Sequence, residues 1–384
     1  MQVSFWGVRG SMPTPHPRTF KYGGNTPCVE IQTPEGHTII LDCGTGSTHL
    51  GKLLAKKRAK DGLSLTVFLT HFHWDHIQGL PFFAPLYRAD NQVVFHCFEA
   101  HGITARDALG GLMLTPFFPV DVSVLKARRD FRIIGEERLK VFDVEIVSRH
   151  LNHPQGCLGF RVEAETGVFV YATDHEHGQA QFDNNVRELA QGADLLMYDA
   201  QYTAEEYRTH VGWGHSTWEE AIRVTRDAEV KELVLFHHDP DHSDLFLDKI
   251  LMEARAHFPL THAAMEATTV TIQRKDKAAT FRGRMEQRYS QRVPLAHPIR
   301  VRLYRVDQEE AERTVLSDLS LDGSFFLVDH DWDIGTELDV EIDVPVGEDS
   351  PTSTLRLRGV VARSEKVEDK TGIGVSFRAR SAPA

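Results

Sequence analysis

No stretch of the chain approaches the ~18 consecutive apolar residues that a membrane span needs, so no transmembrane helix is expected. Cysteine is scarce as well. Cys28, Cys43, Cys97 and Cys157 are the only four, and none stands in a C-x-x-C pair. That argues against a cysteine-built redox or zinc pair and points to buried free thiols in a reducing compartment. Positive charge is in deficit, with 43 Lys and Arg against 55 Asp and Glu and a net charge of −12. Non-specific attraction to nucleic acid is therefore not expected of the chain as a whole. There are no internal repeats and no low-complexity tract. The opening M-Q-V-S-F-W-G-V-R-G reads as a strand running into a glycine turn rather than as a signal sequence, so a cytoplasmic location is expected.

What is present is ordinary in bulk and unusual in one residue. Hydrophobic residues make up 41% and charged residues 26% of 384, which suits two soluble globular domains. Histidine occurs 21 times, in clusters. Up to about residue 272 strand-like and helix-like segments alternate. Gln2–Val8, Cys28–Gln32, Thr38–Asp42, Leu65–Thr70, Val168–Ala172, Leu195–Tyr198 and Leu233–Phe236 read as strands; Gly46–Ala59, Thr217–Ala228 and Asp244–Phe258 read as helices. This alternation predicts an α/β fold with sheets covered by helices. Between Arg274 and Arg305 ten Lys and Arg meet two acids, a local charge of +8 that leaves −20 on the rest. Beyond Ile299 only short strands are predicted, which suggests a small all-β barrel. The sequence thus divides into 1–272, a linker at 273–283, and 284–384.

The densest chemistry is Thr70-His71-Phe72-His73-Trp74-Asp75-His76, directly after the apolar run Leu65–Leu69. His71 and His73, two apart on an extended loop, can face the same way, and Asp75 and His76 can reach a second ion. Imidazoles with a hard carboxylate suit zinc first, and manganese or iron as alternatives. Four such side chains within six residues would be costly to bury without a metal.

This motif resembles the H-x-H-x-D-H signature of the metallo-β-lactamase superfamily, and the resemblance covers about 1–272. It implies an αβ/βα sandwich with two divalent ions at one edge of its sheets. By resemblance, His71, His73 and His153 hold one ion, Asp75, His76 and His237 the other, and Asp174 bridges them. Asp42, in I-I-L-D-C-G-T-G, matches the family's early aspartate, which supports the site without binding metal. His175, His177 and His238 lie beside these positions but are expected to support the site or face solvent. Two ions together can activate water and clamp an ester in line, so hydrolysis is expected.

Gly214-His215-Ser216-Thr217-x-x-Glu220-Ala221 resembles the G-H-S-T-x-x-E-A element of the phosphodiesterase and RNase Z branch, where the histidine contacts phosphate and helps protonate the leaving oxygen. The alternative is a helix N-cap beside an incidental histidine. His215, Asp75 and Asp174 are the expected catalytic residues. F-W-G-V-R-G-S and Tyr22–Cys28 resemble a bacterial subgroup near the cyclic-nucleotide phosphodiesterases. β-Lactam chemistry is disfavoured, because Asp174 stands where many β-lactamases carry cysteine. Transfer RNA is disfavoured too. RNase Z enzymes insert a long arm between the equivalents of His153 and Asp174, and here only 20 residues intervene. Thr115-Pro116-Phe117-Phe118-Pro119 is either an apolar pocket wall or core.

In the carboxy-terminal part, Arg288-x-x-x-Arg292 precedes Asp318-x-Ser320-x-x-Gly323, and Gly372–Phe377 suggests a late strand. The set resembles the PilZ domain, which implies cyclic di-GMP as ligand. Guanidiniums pair with phosphates and stack on guanine, and Asp318 and Ser320 can bond a base edge. Resemblance covers about 284–380. The expected protein is a dinuclear-metal phosphodiesterase acting on a small nucleotide-type phosphodiester and regulated by cyclic di-GMP. The alternatives are a cyclic di-GMP effector that uses the hydrolase fold as a scaffold, and a hydrolase of a non-phosphate ester or lactone.

Overall fold

The computed structural model describes residues 1–56, 62–273, 280–283, 299–305, 311–316, 319–320, 323–344, 353–367 and 370–377. The chain divides into two units, Met1–Gln287 and Arg288–Ala384.

Two sheets face each other in the first unit. One has eight strands in the order Thr280–Gly283, Thr268–Thr271, Gln2–Gly7, Cys28–Gln32, Thr38–Leu41, Ser64–Phe68, Gln92–Cys97 and Arg128–Ile133. The other has seven, in the order Thr261–Ala263, Glu232–Phe236, Leu195–Asp199, Gly167–Ala172, Cys157–Ala164, Val144–Leu151 and Arg138–Val141. Thr280–Gly283 lies within the stretch 273–283 read as linker, yet it pairs antiparallel with Thr268–Thr271. Part of that stretch is therefore built into the first unit.

The strands at the heart of each sheet are buried on both faces, and their side chains sort by the two-residue period of a strand. Ile39, Leu41, Phe169, Tyr171, Met197 and Phe236 enter the core between the sheets. Ile40 turns to the outer face beneath helices Gly46–Lys56 and Ala105–Leu112. Val170, Leu196, Tyr198 and Leu235 turn to the other outer face, beneath Ala180–Ala190, Trp218–Asp227 and Asp244–His257. This four-layer arrangement agrees with the sandwich expected from the sequence. Helix Trp218–Asp227 starts where its signals place it. Thr217 is the N-cap and accepts from Glu220 N, Glu219 and Glu220 occupy the first turn, and Arg226 lies in the last.

Strands Thr38–Leu41, Ser64–Phe68, Gln92–Cys97 and Arg128–Ile133 run parallel in the first sheet. Gly167–Ala172, Leu195–Asp199, Glu232–Phe236 and Thr261–Ala263 run parallel in the second. Their carboxyl ends gather at one edge of the sandwich, which is where open α/β sheets present functional side chains. All four cysteines are free and buried.

In the second unit seven strands form one antiparallel sheet in the order Ala311–Leu316, Ile299–Arg305, Glu337–Val344, Ser353–Val367, Lys370–Phe377, Gly323–Val328 and Leu319–Ser320. Val301, Leu303, Phe326, Leu338, Val340, Val361, Ile373 and Val375 share its core. Strand Ala311–Leu316 packs against Gly323–Val328, but among the described residues no hydrogen-bonded ladder joins them. The expected barrel is thus a curled, open sheet. Among the described residues no helix is long and apolar enough to cross a membrane.

One buried cation fastens the amino-terminal motif to the rest of the first unit. Arg9 is wholly buried. Its Nε donates to Gly23 O (2.8 Å), and its Nη1 to Asp239 O (2.9 Å) and His242 O (2.7 Å), while Asp244 lies 3.8 Å from Nη2. Arg9→Ala strips donors from these groups and should lower unfolding stability by about 3–5 kcal/mol. Urea denaturation of the variant beside the wild type measures it.

Candidate metal centre

Each candidate donor follows a strand end. Asp42 follows Thr38–Leu41, the His71–His76 loop follows Ser64–Phe68, and His153 follows Val144–Leu151. Asp174 follows Gly167–Ala172, and His237 follows Glu232–Phe236. Asp42, Asp174 and His237 hold φ of 59°, 55° and 61°. Non-glycine residues seldom adopt this left-handed conformation, and it persists only where the surroundings enforce it.

The side chains converge as two donor groups. Ligand-type atoms of His71, His73 and His153 lie within 4.8 Å of one another, as do those of Asp75, His76, Asp174 and His237. Asp174 faces both groups. Its Oδ1 lies 3.8 Å from His71 Nε2 and 3.7 Å from His153 Nε2; its Oδ2 lies 3.2 Å from His76 Nε2 and 3.4 Å from His237 Nε2. Asp75 Oδ2 completes the second group, 3.2 Å from His237 Nε2 and 3.3 Å from His76 Nε2.

In every one of these histidines the nitrogen turned away from the cluster is engaged. His71 Nδ1 meets Thr70 Oγ1 (3.0 Å), His73 Nε2 meets Gln155 Oε1 (2.7 Å), and His76 Nδ1 meets Asp42 Oδ2 (2.8 Å). His153 Nδ1 donates to Gly214 O (2.8 Å), and His237 Nδ1 meets Gln201 Oε1 (2.9 Å). Such outer contacts fix ring orientation and tautomer and leave the other nitrogen as a ligand. His71 Nε2 is buried without a hydrogen-bond partner, and His76 Nε2 faces only the carboxylates of Asp75 and Asp174. A buried imidazole nitrogen left unpaired is costly, and a divalent ion in each donor group removes the cost. The residues fit two such ions.

Electrostatics within the protein follow the same geometry. Burial, joined by the charge of His76, holds His71 well below the usual imidazole range. Burial likewise brings His153 down to about 4. Burial pushes the Asp174 carboxyl up, but His237 and His76 outweigh it and hold the group well below the usual carboxylate range.

Asp42 lies beneath the cluster, accepting from Thr70 N (2.8 Å) and Tyr171 OH (3.0 Å) as well as meeting His76, in the supporting role expected of it. His175 pairs with Asp183, His177 with Ser216 and His238 with Ala264 O, and none joins a donor group. Ser11 N–H donates to Asp75 Oδ2 (2.8 Å), so the amino-terminal motif closes the second group. A Cβ on Gly10 would sit 2.4 Å from His237 Nδ1, which explains that glycine.

His215 stands beside the donors, with Nδ1 4.0 Å from Asp174 Oδ1 and its ring 4.8 Å from that of His237. Its partner was not anticipated. Asp199, wholly buried at the end of Leu195–Asp199, accepts from His215 Nδ1 (2.8 Å), Asp174 N (3.0 Å), Gln201 N (3.1 Å) and Ser216 N (3.2 Å). Burial opposes charge on His215, but the charge and hydrogen bond of Asp199 prevail and raise it to about 9. Glu176 was also missed. Its carboxylate accepts from Gly214 N (2.8 Å), Gly212 N (2.7 Å) and Tyr207 OH (2.8 Å), and so pins the loop that delivers both His215 and the carbonyl held by His153. Thr115–Pro119 divides: Phe117 is 85% exposed, whereas Phe118 is half-buried against the outer core cluster and packs edge-on to Phe82. Of the cyclic di-GMP residues, Ser320 and Gly323 pair across the hairpin of Leu319–Ser320 with Gly323–Val328. Arg288, Arg292 and Asp318 lie outside the described residues.

Comparison with known proteins follows the same division. A profile of the β-lactamase superfamily domain matches residues 37–238, and one of the PilZ domain matches 286–383. A ribonuclease Z of Bacillus cereus is 24% identical over 329 residues, covering 71% of this chain and all of the relative. That of Ignicoccus hospitalis is 29% identical over 305 residues, covering 65% of this chain and 96% of the relative. Among solved structures, the metallo-β-lactamase fold protein YhfI from Bacillus subtilis superposes with a TM-score of 0.52 at 20% identity, over 70% of this chain and 97% of that one. Zinc-bound PqqB from Methylobacterium extorquens gives 0.53 at 16%, over 70% and 99%. These likenesses are to the fold.

Glu176→Gln replaces an acceptor with a donor facing a backbone N–H. It should weaken zinc binding at the His71, His73 and His153 group about 10–100-fold, the usual effect of losing an outer-shell contact, and speed amide exchange at Gly212 and Gly214. Chelator competition and hydrogen exchange measure the two effects.

Proposed function

Since the chain belongs to the metallo-β-lactamase superfamily and carries a PilZ domain, we propose that it is a dinuclear-metal phosphodiesterase, acting on a small nucleotide-type phosphodiester and regulated by cyclic di-GMP. His71, His73 and His153 hold one ion, and Asp75, His76 and His237 the other, with Asp174 between them. The ions, when bound, supply Lewis-acid activation of water and of the phosphoryl oxygens.

The observation that carries the reading is the Asp199–His215 pair at the edge of the donor cluster. Hydrolysis of an ester with a poor leaving group needs a proton at the departing oxygen, and a positioned acid contributes on the order of 10²–10⁴-fold. Asp199 binds His215 through Nδ1, which leaves Nε2 to contact a phosphoryl oxygen and donate that proton. Asp199 also accepts from the backbone N–H of Asp174, so acid and bridging residue are held by one carboxylate. A second feature supports a small substrate over transfer RNA. Strands Cys157–Ala164 and Gly167–Ala172, which lie between His153 and Asp174, form a hairpin closed by Glu165 and Thr166. The short connection leaves no residues for an inserted arm of the kind that RNase Z enzymes carry between these positions, which favours the small substrate.

For the carboxy-terminal unit, the matched profile and the pairing of Ser320 with Gly323 support cyclic di-GMP as ligand. Arg288 and Arg292 take its phosphates, and Asp318 and Ser320 a base edge. A ligand that favours one arrangement of the chain over another shifts activity by that difference.

The zinc-loaded chain should hydrolyse bis(p-nitrophenyl) phosphate, and Asp174→Ala should abolish the activity; wild-type turnover in that variant refutes the bridging role. His215→Ala should lower kcat by ~10²–10⁴ for an alkyl leaving group, far less for p-nitrophenolate, with zinc content unchanged. Loss of zinc would make His215 a ligand instead.

Cyclic di-GMP should bind with measurable heat in isothermal titration and change the hydrolysis rate. Arg292→Ala should abolish both the heat and the response. Tight binding with unchanged kinetics removes the regulation and leaves the ligand.

A further inference from the structure

The chain has five tryptophans. Trp6, Trp218 and Trp332 are 8%, 7% and 3% exposed, whereas Trp74 in the histidine-rich loop is 79% exposed and Trp213, on the loop that leads into His215, is 61% exposed. Its neighbour Gly214 gives its carbonyl to His153, and the next residue is His215. An exposed indole is ordinarily free to move. This one is braced. Its ring meets His210 edge-on at 4.7 Å, and His210 stacks on Tyr202 at 4.6 Å with 26° between planes. The Tyr202 ring in turn lies 6.1 Å from His215. The loop beneath is fixed as well. Glu176 holds Gly212 N and Gly214 N, and Trp213 N–H donates to His210 O (3.1 Å). A row of rings therefore runs from the acid of the site to an indole on the surface, on a loop anchored by a buried carboxylate.

We infer that Trp213 is a stacking platform for the nucleobase of the substrate. The inference rests on the phosphodiesterase reading and names what that phosphodiester carries. A centre that holds two divalent ions attracts an anion, and the indole beside it offers a flat π-face. An anion joined to an aromatic group at about the reach of two residues, roughly 7 Å, is what a nucleotide presents. Every base has a face that can stack, so the platform selects nucleotides over sugar phosphates without selecting sequence. Bracing by His210 and Tyr202 removes most of the ordering cost that a mobile side chain would incur on binding.

The test compares adenosine monophosphate with ribose phosphate, which lacks only the base, on zinc-loaded full-length protein. In calorimetry the wild type should bind adenosine monophosphate about 5–100-fold more tightly, the range given by stacking on one aromatic side chain. Trp213→Ala should bring the ratio close to one by weakening the nucleotide alone. Trp213→Phe should keep most of the preference, since its ring also stacks. Adenosine monophosphate should quench more indole emission in the wild type than in Trp213→Phe, in which Trp74 remains the exposed indole. A preference that survives in Trp213→Ala overturns the assignment, as does a wild type that ignores the base or binds neither probe. Hydrolysis of bis(p-nitrophenyl) phosphate without any base preference removes the platform and spares the phosphodiesterase. A Trp213-dependent base preference without hydrolysis supports the platform and removes the phosphodiesterase.

Discussion

A buried carboxylate must be met by donors or it destabilises the fold, and Asp42 turns that requirement into architecture. It sits wholly buried at the end of a strand in the first sheet. Thr70 and His76 meet it from the next loop of the same sheet, and Tyr171 reaches it from the opposing one. One anion thus joins the two sheets through a shared hydrogen-bond set and fixes the ring of His76. The same economy recurs around the cluster. Thr70, Gln155, Gly214 and Gln201 each engage the outward nitrogen of one histidine. The inner nitrogens are aimed at one space, and that space is defined by contacts made outside it.

The two functional halves of the centre are mechanically joined. Asp199 accepts from His215, the proposed acid, and from the backbone of Asp174, the proposed bridge. Glu176 sits on the same stretch as Asp174 and grips the loop that brings His215. A shift of either carboxylate would move donor geometry and acid together. Such coupling matters for a hydrolase, because misplacement by about 1 Å can cost 10²-fold in rate.

The metal donors were legible in the sequence for a local reason. His71, His73, Asp75 and His76 crowd one loop, and no solvated loop needs that composition. His153, Asp174 and His237 became legible through family resemblance and because each follows an apolar run. Asp199 carried no such mark. In Tyr198-Asp199-Ala200-Gln201 it is one acid at a strand end, and its importance arises from the backbone N–H groups that fold onto it. Glu176 was hidden between two histidines that drew attention to themselves. The strands Arg128–Ile133 and Ala311–Leu316 went unread because both are edge strands, with too many charges for an alternating apolar pattern. The barrel expectation failed at the same edge, where side-chain packing brings strands together without a backbone ladder.

Strand Gln2–Gly7 pairs with Thr268–Thr271, and the Gly10–Ser11 turn that follows it closes on His237 and Asp75. During synthesis Gln2–Gly7 therefore waits for nearly the last part of its unit. At about 5–20 residues per second that interval is roughly 13–55 s. For most of it the histidine-rich loop is already translated, while Thr268–Thr271, the partner of the strand that carries the Gly10–Ser11 turn, is not. Contacts this distant in sequence also slow folding. The order of translation thus separates exposure of the donors from completion of the pocket, and gives a nascent chain no finished centre with which to compete for cellular metal.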